Sequence, residues 1–318
     1  MIERAEELVT IFGGGGFIGR YVCEMLLKSS VRVRVVARNP RSAHFIQPLG
    51  QVGQIGFVKG DITSKRSIAA AMDGATAAVN LVGIMNGALT ATHVDGARAL
   101  AEAAAANAAT ALVHVSAIGS DPHSESRYGQ SKGAGELAVR EAFPGATIIR
   151  PSLVFGPEDQ ITNRFAGMAK LPFLPVIAAQ RRFQPVYVRD LAKAIAGAVL
   201  DPARFGGRTF EIGGPEVLTM RALHDAVLEL TGQKPEVVEL PDFMGALLAR
   251  FGWLPGAPLT KDQWLMLQRD NVAAEGSDGL EAFDIRPTPL AAVGHEWLGR
   301  FNQGGRFAGR RINLTATN

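Results

Sequence analysis

The sequence predicts an α/β protein: a doubly wound parallel sheet with a smaller, mostly helical C-terminal lobe. Three features of the chain dictate this. Apolar strand-like runs alternate with helix-patterned segments through the first half, as βαβ units require. A glycine-rich turn, Phe12-Gly-Gly-Gly-Gly-Phe-Ile-Gly19, joins the first such strand to the first such helix. Hydrophobic residues make up 47% of the 318, which is enough to bury a sizeable core and excludes global disorder.

Residues 8–12 read as the first strand and 16–28 as the helix that follows. Residues 31–37 alternate apolar positions with Arg32 and Arg34 and read as the second strand. Residues 56–59 and 77–82 are the third and fourth. The Ala-rich run 92–107 is the strongest helix signal. Residues 111–115 are the fifth strand, 128–142 a helix and 146–150 the sixth strand. Past Pro151 the pattern loosens, with Pro and Gly punctuating residues 151–185. Residues 184–188 read as a strand, 190–200 as a helix and 210–212 as a last strand. A helix over 219–231 starts on a Thr cap and stops near Gly232.

In the glycine turn the spacing is G-x-x-G-x-x-G, on Gly13, Gly16 and Gly19. The first lets the chain turn sharply, the second admits a pyrophosphate against backbone, and the third seats the helix close to the sheet. Free N–H groups at the helix start, around Phe17 and Ile18, suit a phosphate. NAD-preferring folds place an acid about 20 residues further on, to hold the ribose 2′-hydroxyl. Here Arg38 stands at that place. A guanidinium suits a 2′-phosphate, so NADP(H) is the expected cofactor and NAD(H) the alternative, with Arg20 placed to assist. Asp61-Ile62 follows the third strand, where an Asp reaches an adenine amine. Leu81-Val82-Gly83 follows the fourth, where a nucleotide lies against the sheet. Residues 1–157, joined again by 184–213, are therefore expected to form a Rossmann-type dinucleotide domain. Residues 158–183 and 214–303 form the substrate or partner lobe, and the Gly/Arg-rich residues 304–318 a mobile tail.

Tyr128-Gly-Gln-Ser-Lys132 places a phenol and an ammonium one helical turn apart. The ammonium lowers the phenol pKa and holds a nicotinamide ribose, while the phenol exchanges a proton with a carbonyl or alcohol. A third member, a hydroxyl after the fifth strand, is expected. Ser116 is present, the next position is Ala117, and Ser120 and Ser124 are alternatives.

The glycine turn, Arg38, Asp61, the Tyr–Lys pair, Arg150-Pro151-Ser152 and residues 185–192 together resemble an extended or atypical short-chain dehydrogenase/reductase. Phe12, Gly19-Arg-Tyr-Val22, Arg127-Tyr128 and residues 141–144, 155–159, 163–165, 259–262, 279–281 and 288–290 make a closer match. They are similar to the nucleotide-binding accessory subunit of respiratory complex I and its bacterial relatives. That resemblance spans almost the whole chain. It implies a tightly held NADPH of mainly structural role, a respiratory-complex partner, and the usual hydroxyl missing at Ala117. Three roles stay open: such a subunit, an active NADP(H)-dependent oxidoreductase on a hydrophobic carbonyl or quinone-like substrate, and an NADP(H) redox sensor. A sugar-nucleotide epimerase or dehydratase fits Arg38 less well.

Net charge is +3 and scattered, which argues against nucleic acid. The single cysteine, Cys23, is expected as a buried structural thiol, and one Cys suits a reducing, cytoplasmic setting. The resemblance extends that to the periphery of an inner membrane. The six His show no ligand spacing, so no metal is expected. No run of about 18 apolar residues would span a bilayer. Residues 243–253 are apolar on most sides and read as a packing helix, with a hydrophobic surface for a membrane, quinone or partner as the sharper alternative. Trp253, Trp264 and Trp297 are expected in the core.

Overall fold

Side chains that alternate sides along each strand build two hydrophobic layers on one sheet. In the computed structural model, which describes residues 7–254 and 259–302, seven parallel strands form that sheet. They are β1 (Leu8–Phe12), β2 (Arg32–Ala37), β3 (Ile55–Lys59), β4 (Ala77–Asn80), β5 (Ala111–Val115), β6 (Thr147–Pro151) and, after four strands outside this sheet, β11 (Thr209–Ile212). Their order is β11-β6-β5-β4-β1-β2-β3. Ile11 and Val35 face one layer with Val22, Leu26, Leu191 and Ile195, from helices α1 (Phe17–Lys28) and α6 (Val188–Leu200). Phe12 and Val36 face the other with Ile68 and Leu100, from α2 (Lys65–Met72) and α3 (Gly96–Ala106). Each such fully buried side chain is worth about 1.5–3 kcal/mol of transfer free energy. Cys23 lies buried in the first layer, as expected.

The remaining elements extend this frame. Helix α4 (Arg127–Ala142) crosses from β5 to β6. Then come β7 (Val154–Phe155), α5 (Ile161–Met168), β8 (Phe173–Ile177), β9 (Arg182–Phe183), β10 (Val186–Tyr187) and α7 (Pro202–Phe205). After β11 follow β12 (Leu218–Thr219), α8 (Met220–Thr231), β13 (Glu236–Leu240), α9 (Asp242–Arg250), α10 (Lys261–Met266), α11 (Leu290–Val293) and α12 (His295–Leu298). Thr219 caps α8 and Gly232 ends it in the left-handed region, as the sequence indicates.

Several boundaries differ from expectation. The strand expected over 184–188 is only Val186–Tyr187, because α6 already starts at Val188. The fourth strand stops at Asn80, whose side chain accepts the Val82 N–H at 3.1 Å and turns the chain. The predicted helix over 92–107 opens with a wide turn at Ala91–Asp95. The C-terminal lobe, read as helical, also contains a parallel ribbon of β8 and β13. Pro172 and Pro175 hid β8, since Pro argues against strand in a sequence. Trp297 is buried, but Trp253 is 78% exposed, which corrects its core assignment. The expected tail at 304–318 lies outside the described residues. Among the described residues, no helix is long and apolar enough to cross a membrane.

An ion triad fastens the sheet edge. Arg150 on β6 donates to Glu136 of α4, 2.6 Å from Oε2, and to Glu211 of β11 at 3.2 Å. The Glu136 side chain is 6% exposed.

Candidate functional site

Strand order reverses between β1 and β4, and in open α/β sheets the carboxyl ends at such a point form a ligand crevice. Leu81 N–H donates to Phe12 O at 2.9 Å, closing the two strands together. Gly13 follows with φ +84°, and a Cβ there would lie 3.2 Å from the Leu81 carbonyl carbon. A Cβ on Gly19 would approach Gly14 Cα to 2.6 Å. These two positions therefore demand glycine. Helix α1 begins at Phe17, after Gly16, with no side-chain cap and no acid in its first turn. Its positive end, beside half-buried Phe17 and Ile18, is left for an anion, the fit a pyrophosphate requires.

The rim beyond carries the expected cation. Arg38 leaves β2 exposed, with no ion pair or side-chain hydrogen bond among the described residues. Asp61 sits near enough for Arg38 to lower its pKa; the main lowering comes from the Thr63 backbone N–H, then its hydroxyl, at 2.9 and 2.8 Å. Ile62 is buried, its carbonyl pressed on Gly96 at the start of α3. Leu81 and Val82 are half-buried and Gly83 exposed. Arg20 departs from expectation. Its guanidinium pairs with Glu158 at 2.9 Å and covers Phe45 at 4.5 Å, while Tyr21 donates to the other Glu158 oxygen at 2.7 Å. Glu158 answers the Arg20 charge, whereas Arg38 and the nearby exposed Arg41 have no ion pair among the described residues.

Helix α4 brings the phenol and the ammonium to the end of β5. Lys132 is buried, and Nζ donates to Val115 O at 2.7 Å, leaving two of its protons without a protein partner. Burial pulls its pKa down to about 8, against a smaller opposing pull from Glu136. Burial pushes the Tyr128 phenol up to about 12, which corrects the expected lowering by Lys132. Ser116 Oγ lies 2.9 Å from Ser120 Oγ, and both are buried. Ser120, with Tyr128, Ala117, Leu265, Met266 and Gln268, lines a cleft of about 80 Å³. Ser116 thus stands behind Ser120, and Ser120 and Ser124, the two alternatives to it, both line the cleft, with Ser126 beside them.

Sequence reasoning missed the groups that hold this arrangement. Asp262 of α10 accepts from Arg127 N–H at 2.6 Å, Tyr128 N–H at 3.1 Å and Ser126 Oγ–H at 3.1 Å. It thereby caps α4 from the far end of the chain. His93 Nε2 accepts Ile84 N–H at 3.1 Å, so its proton lies on Nδ1 and is donated to Ser131 Oγ at 2.8 Å. Ser131 in turn donates to the Tyr128 carbonyl at 2.9 Å. Burial, and secondarily Lys132, lowers the His93 pKa to about 4. The Pro151 carbonyl accepts Ile118 N–H at 3.0 Å. Ser152 is taken up by structure: it lies 2.8 Å from Asn271 O and Oδ1 and accepts Gln184 N–H at 3.2 Å. Asp262 ends one of the segments that carry the resemblance, but its capping role was not legible there, and no local pattern marks His93 or Asn271.

The sequence profile of the NAD dependent epimerase/dehydratase family matches residues 9–213. The chain belongs to this family. Within and around it, the chain is similar to mitochondrial NADH dehydrogenase (ubiquinone) 1 alpha subcomplex subunit 9 of Arabidopsis thaliana, at 31% identity over 96% of this chain and 81% of the relative. It is also similar to a ceramide reductase of Caulobacter vibrioides, at 30% identity over 81% of this chain and 82% of the relative. Among solved structures, an Escherichia coli NADPH-dependent quinone oxidoreductase with NADPH bound superposes with a TM-score of 0.71. That match covers 91% of this chain and 99% of the other at 18% identity, a likeness of fold. Membership of the epimerase/dehydratase family fixes a nicotinamide-dinucleotide fold; the choice between the two nucleotides rests on the rim residues.

Proposed function

We propose that this chain binds NADP(H) and reduces a carbonyl held in the cleft beside Tyr128. The observation that carries the chemistry is one cleft lined by both Tyr128 and Ser120, with Lys132 buried behind it. The observation that favours the phosphorylated nucleotide is Arg38, exposed at the end of β2 with no ion pair among the described residues and only Asp61 near enough to feel its charge. On this reading Gly13, Gly16, Phe17, Ile18 and Gly19 receive the pyrophosphate, Asp61, Ile62 and Leu81 to Gly83 line the adenosine side, and Lys132 holds the nicotinamide ribose with its two spare protons. Residues 1–157 with 184–213 hold the nucleotide, and 158–183 with 214–302 shape the substrate side. When bound, the nicotinamide would supply the hydride for the substrate carbon. Tyr128 then delivers a proton to the carbonyl oxygen, and Ser120, braced by Ser116, donates a hydrogen bond to that oxygen. A buried Lys132 ammonium stabilises the phenolate left behind. Leu265 and Met266 favour an apolar substrate, in keeping with the ceramide reductase and quinone oxidoreductase likenesses.

A second reading has its own support. The chain covers four fifths of the mitochondrial subunit it matches, and Ala117 removes the usual hydroxyl. There the nucleotide would stabilise the fold within a respiratory assembly by binding only the native state. Absorbance of bound NADPH is followed as quinones and long-chain ketones are added, beside Tyr128→Phe. Oxidation that disappears in Tyr128→Phe with NADPH affinity intact supports the reductase. Tight binding without turnover in the parent protein refutes it and leaves the structural role.

A further inference from the structure

Helix α9 is turned against its own composition. Its small residues Gly245 and Ala249, one turn apart, are the buried ones. A Cβ on Gly245 would collide with the Trp264 ring of α10. Its large apolar residues face outward instead. Phe243 is 70% exposed and Leu247 54%, and the chain continues with Phe251 at 51% and Trp253 at 78%. Positions 243, 247 and 251 form one i, i+4 stripe. A helix serving only its own core buries such a stripe. Exposure this high at four aromatic and aliphatic positions makes a ridge.

The charges beside the ridge lean to one sign, with Glu125 at the cleft, beside Arg269, as an exposed acid without an ion pair among the described residues. Asp242, Glu239 and Asp270 are answered by Arg181, Arg221 and Arg182, and Asp262 is spent on α4. Arg250, Lys261 and Arg269 are exposed and have no ion pair or side-chain hydrogen bond among the described residues. An apolar, aromatic ridge flanked by unanswered cations is the composition that settles at the boundary of headgroup and acyl chain on an anionic bilayer.

We infer that α9 and the residues 251–254 seat this protein on an anionic lipid surface. The ridge enters the headgroup boundary, and Arg250, Lys261 and Arg269 meet the lipid phosphates. Helix α10 packs on α9 through Trp264, and its Leu265 and Met266 line the Tyr128 cleft. The seat is therefore one helix away from the cleft. Resting on the reductase reading above, the substrate class is a carbonyl carried in the lipid phase.

The test is co-sedimentation of the full chain with vesicles of phosphatidylcholine alone or with about one third phosphatidylglycerol. The comparison is a triple variant, Phe243→Ser, Leu247→Ser and Trp253→Ser. These side chains are exposed, so circular dichroism and NADPH fluorescence report an intact fold. Partition onto the anionic vesicles is expected to fall about tenfold or more in the triple variant. It is also expected to fall in the parent at about 1 M salt, where screening acts within about 3 Å. Parent protein that pellets no better than the variant overturns the inference. Equal partition onto neutral vesicles overturns the anionic assignment. A parent dimer that the triple substitution turns into monomer, with no vesicle binding, gives the ridge to a second copy instead. NADPH binding that survives in every arm separates failure of this seat from failure of the cofactor reading.

Discussion

Asp262→Ala removes a side chain that ties the C-terminal lobe to the helix carrying Tyr128. The first N–H groups of a helix have no partner within it, and here two of them, on Arg127 and Tyr128, donate to this carboxylate at 2.6 and 3.1 Å. Ser126 remains in the variant and still accepts Gly129 N–H at 3.2 Å, so α4 keeps part of its cap. Loss of a cap costs about 0.5–2 kcal/mol. Removing an acid from the positive end of a helix costs about 0.3–1 kcal/mol. Half-exposure of Asp262 places the sum near 2 kcal/mol. For domains of 150–250 residues each kcal/mol moves Tm by about 2–4 °C, so a fall of about 4 °C is expected. Asp262→Asn keeps an acceptor and loses the charge, and should fall by about half as much. Thermal unfolding by circular dichroism gives the shift, and amide exchange gives its place: faster exchange at Arg127 and Tyr128, little change in β1 or α1. Tyr128-dependent turnover should drop while NADPH affinity holds. An Asp262→Ala protein that melts within about 1 °C of the parent and exchanges normally at residues 127 and 128 refutes the clamp.

Two further outcomes follow from the rim and the buried histidine. Arg38→Ser should weaken NADPH by about tenfold to a hundredfold, about 1.5–3 kcal/mol for charge-assisted bonds at an exposed site, and leave NADH unchanged in a fluorescence titration; equal losses for both would place the 2′-phosphate elsewhere. The folded pKa of His93, about 4, lies below the usual 6.5, so the unfolded chain takes up this proton first and stability is lost as pH falls from 6.5 towards 4. His93→Asn removes that proton uptake, so its denaturant midpoint should drop less between pH 7 and pH 5 than the parent's, by about 1–2 kcal/mol in stability. An identical slope in both proteins would show that His93 is not held neutral.

What could be read from the sequence followed the range of each signal. Strands β1 to β6, the glycine turn and the pair Tyr128–Lys132 announce themselves within a few residues, by alternation, by a fixed spacing or by one helical turn. Helix α8 announces itself by Thr219 and Gly232 at its ends. The β8–β13 ribbon joins segments far apart in the chain, each masked by Pro or Glu, and no local periodicity marks it. Arg20 looked available because Glu158, which answers it, follows it only after six strands. Ser116 matched the expected place after β5, and only the fold reveals that Ser120 stands in front of it. Trp253 read as core by composition, but neighbouring Gly245 and Ala249 already fill the contact with α10.

Arg150 has a second life during synthesis. Its strand, β6, is finished about sixty residues before β11 emerges to cover it, an interval of several seconds at about 5–20 residues per second. Through that interval β6 is a bare sheet edge, the kind of template on which neighbouring nascent chains aggregate. A guanidinium on that strand, with Glu136 supplied by α4 and Glu211 still to come, opposes pairing with any strand that lacks a carboxylate at the matching register. The residue that locks the finished edge is therefore also the guard that keeps it vacant for its own seventh strand.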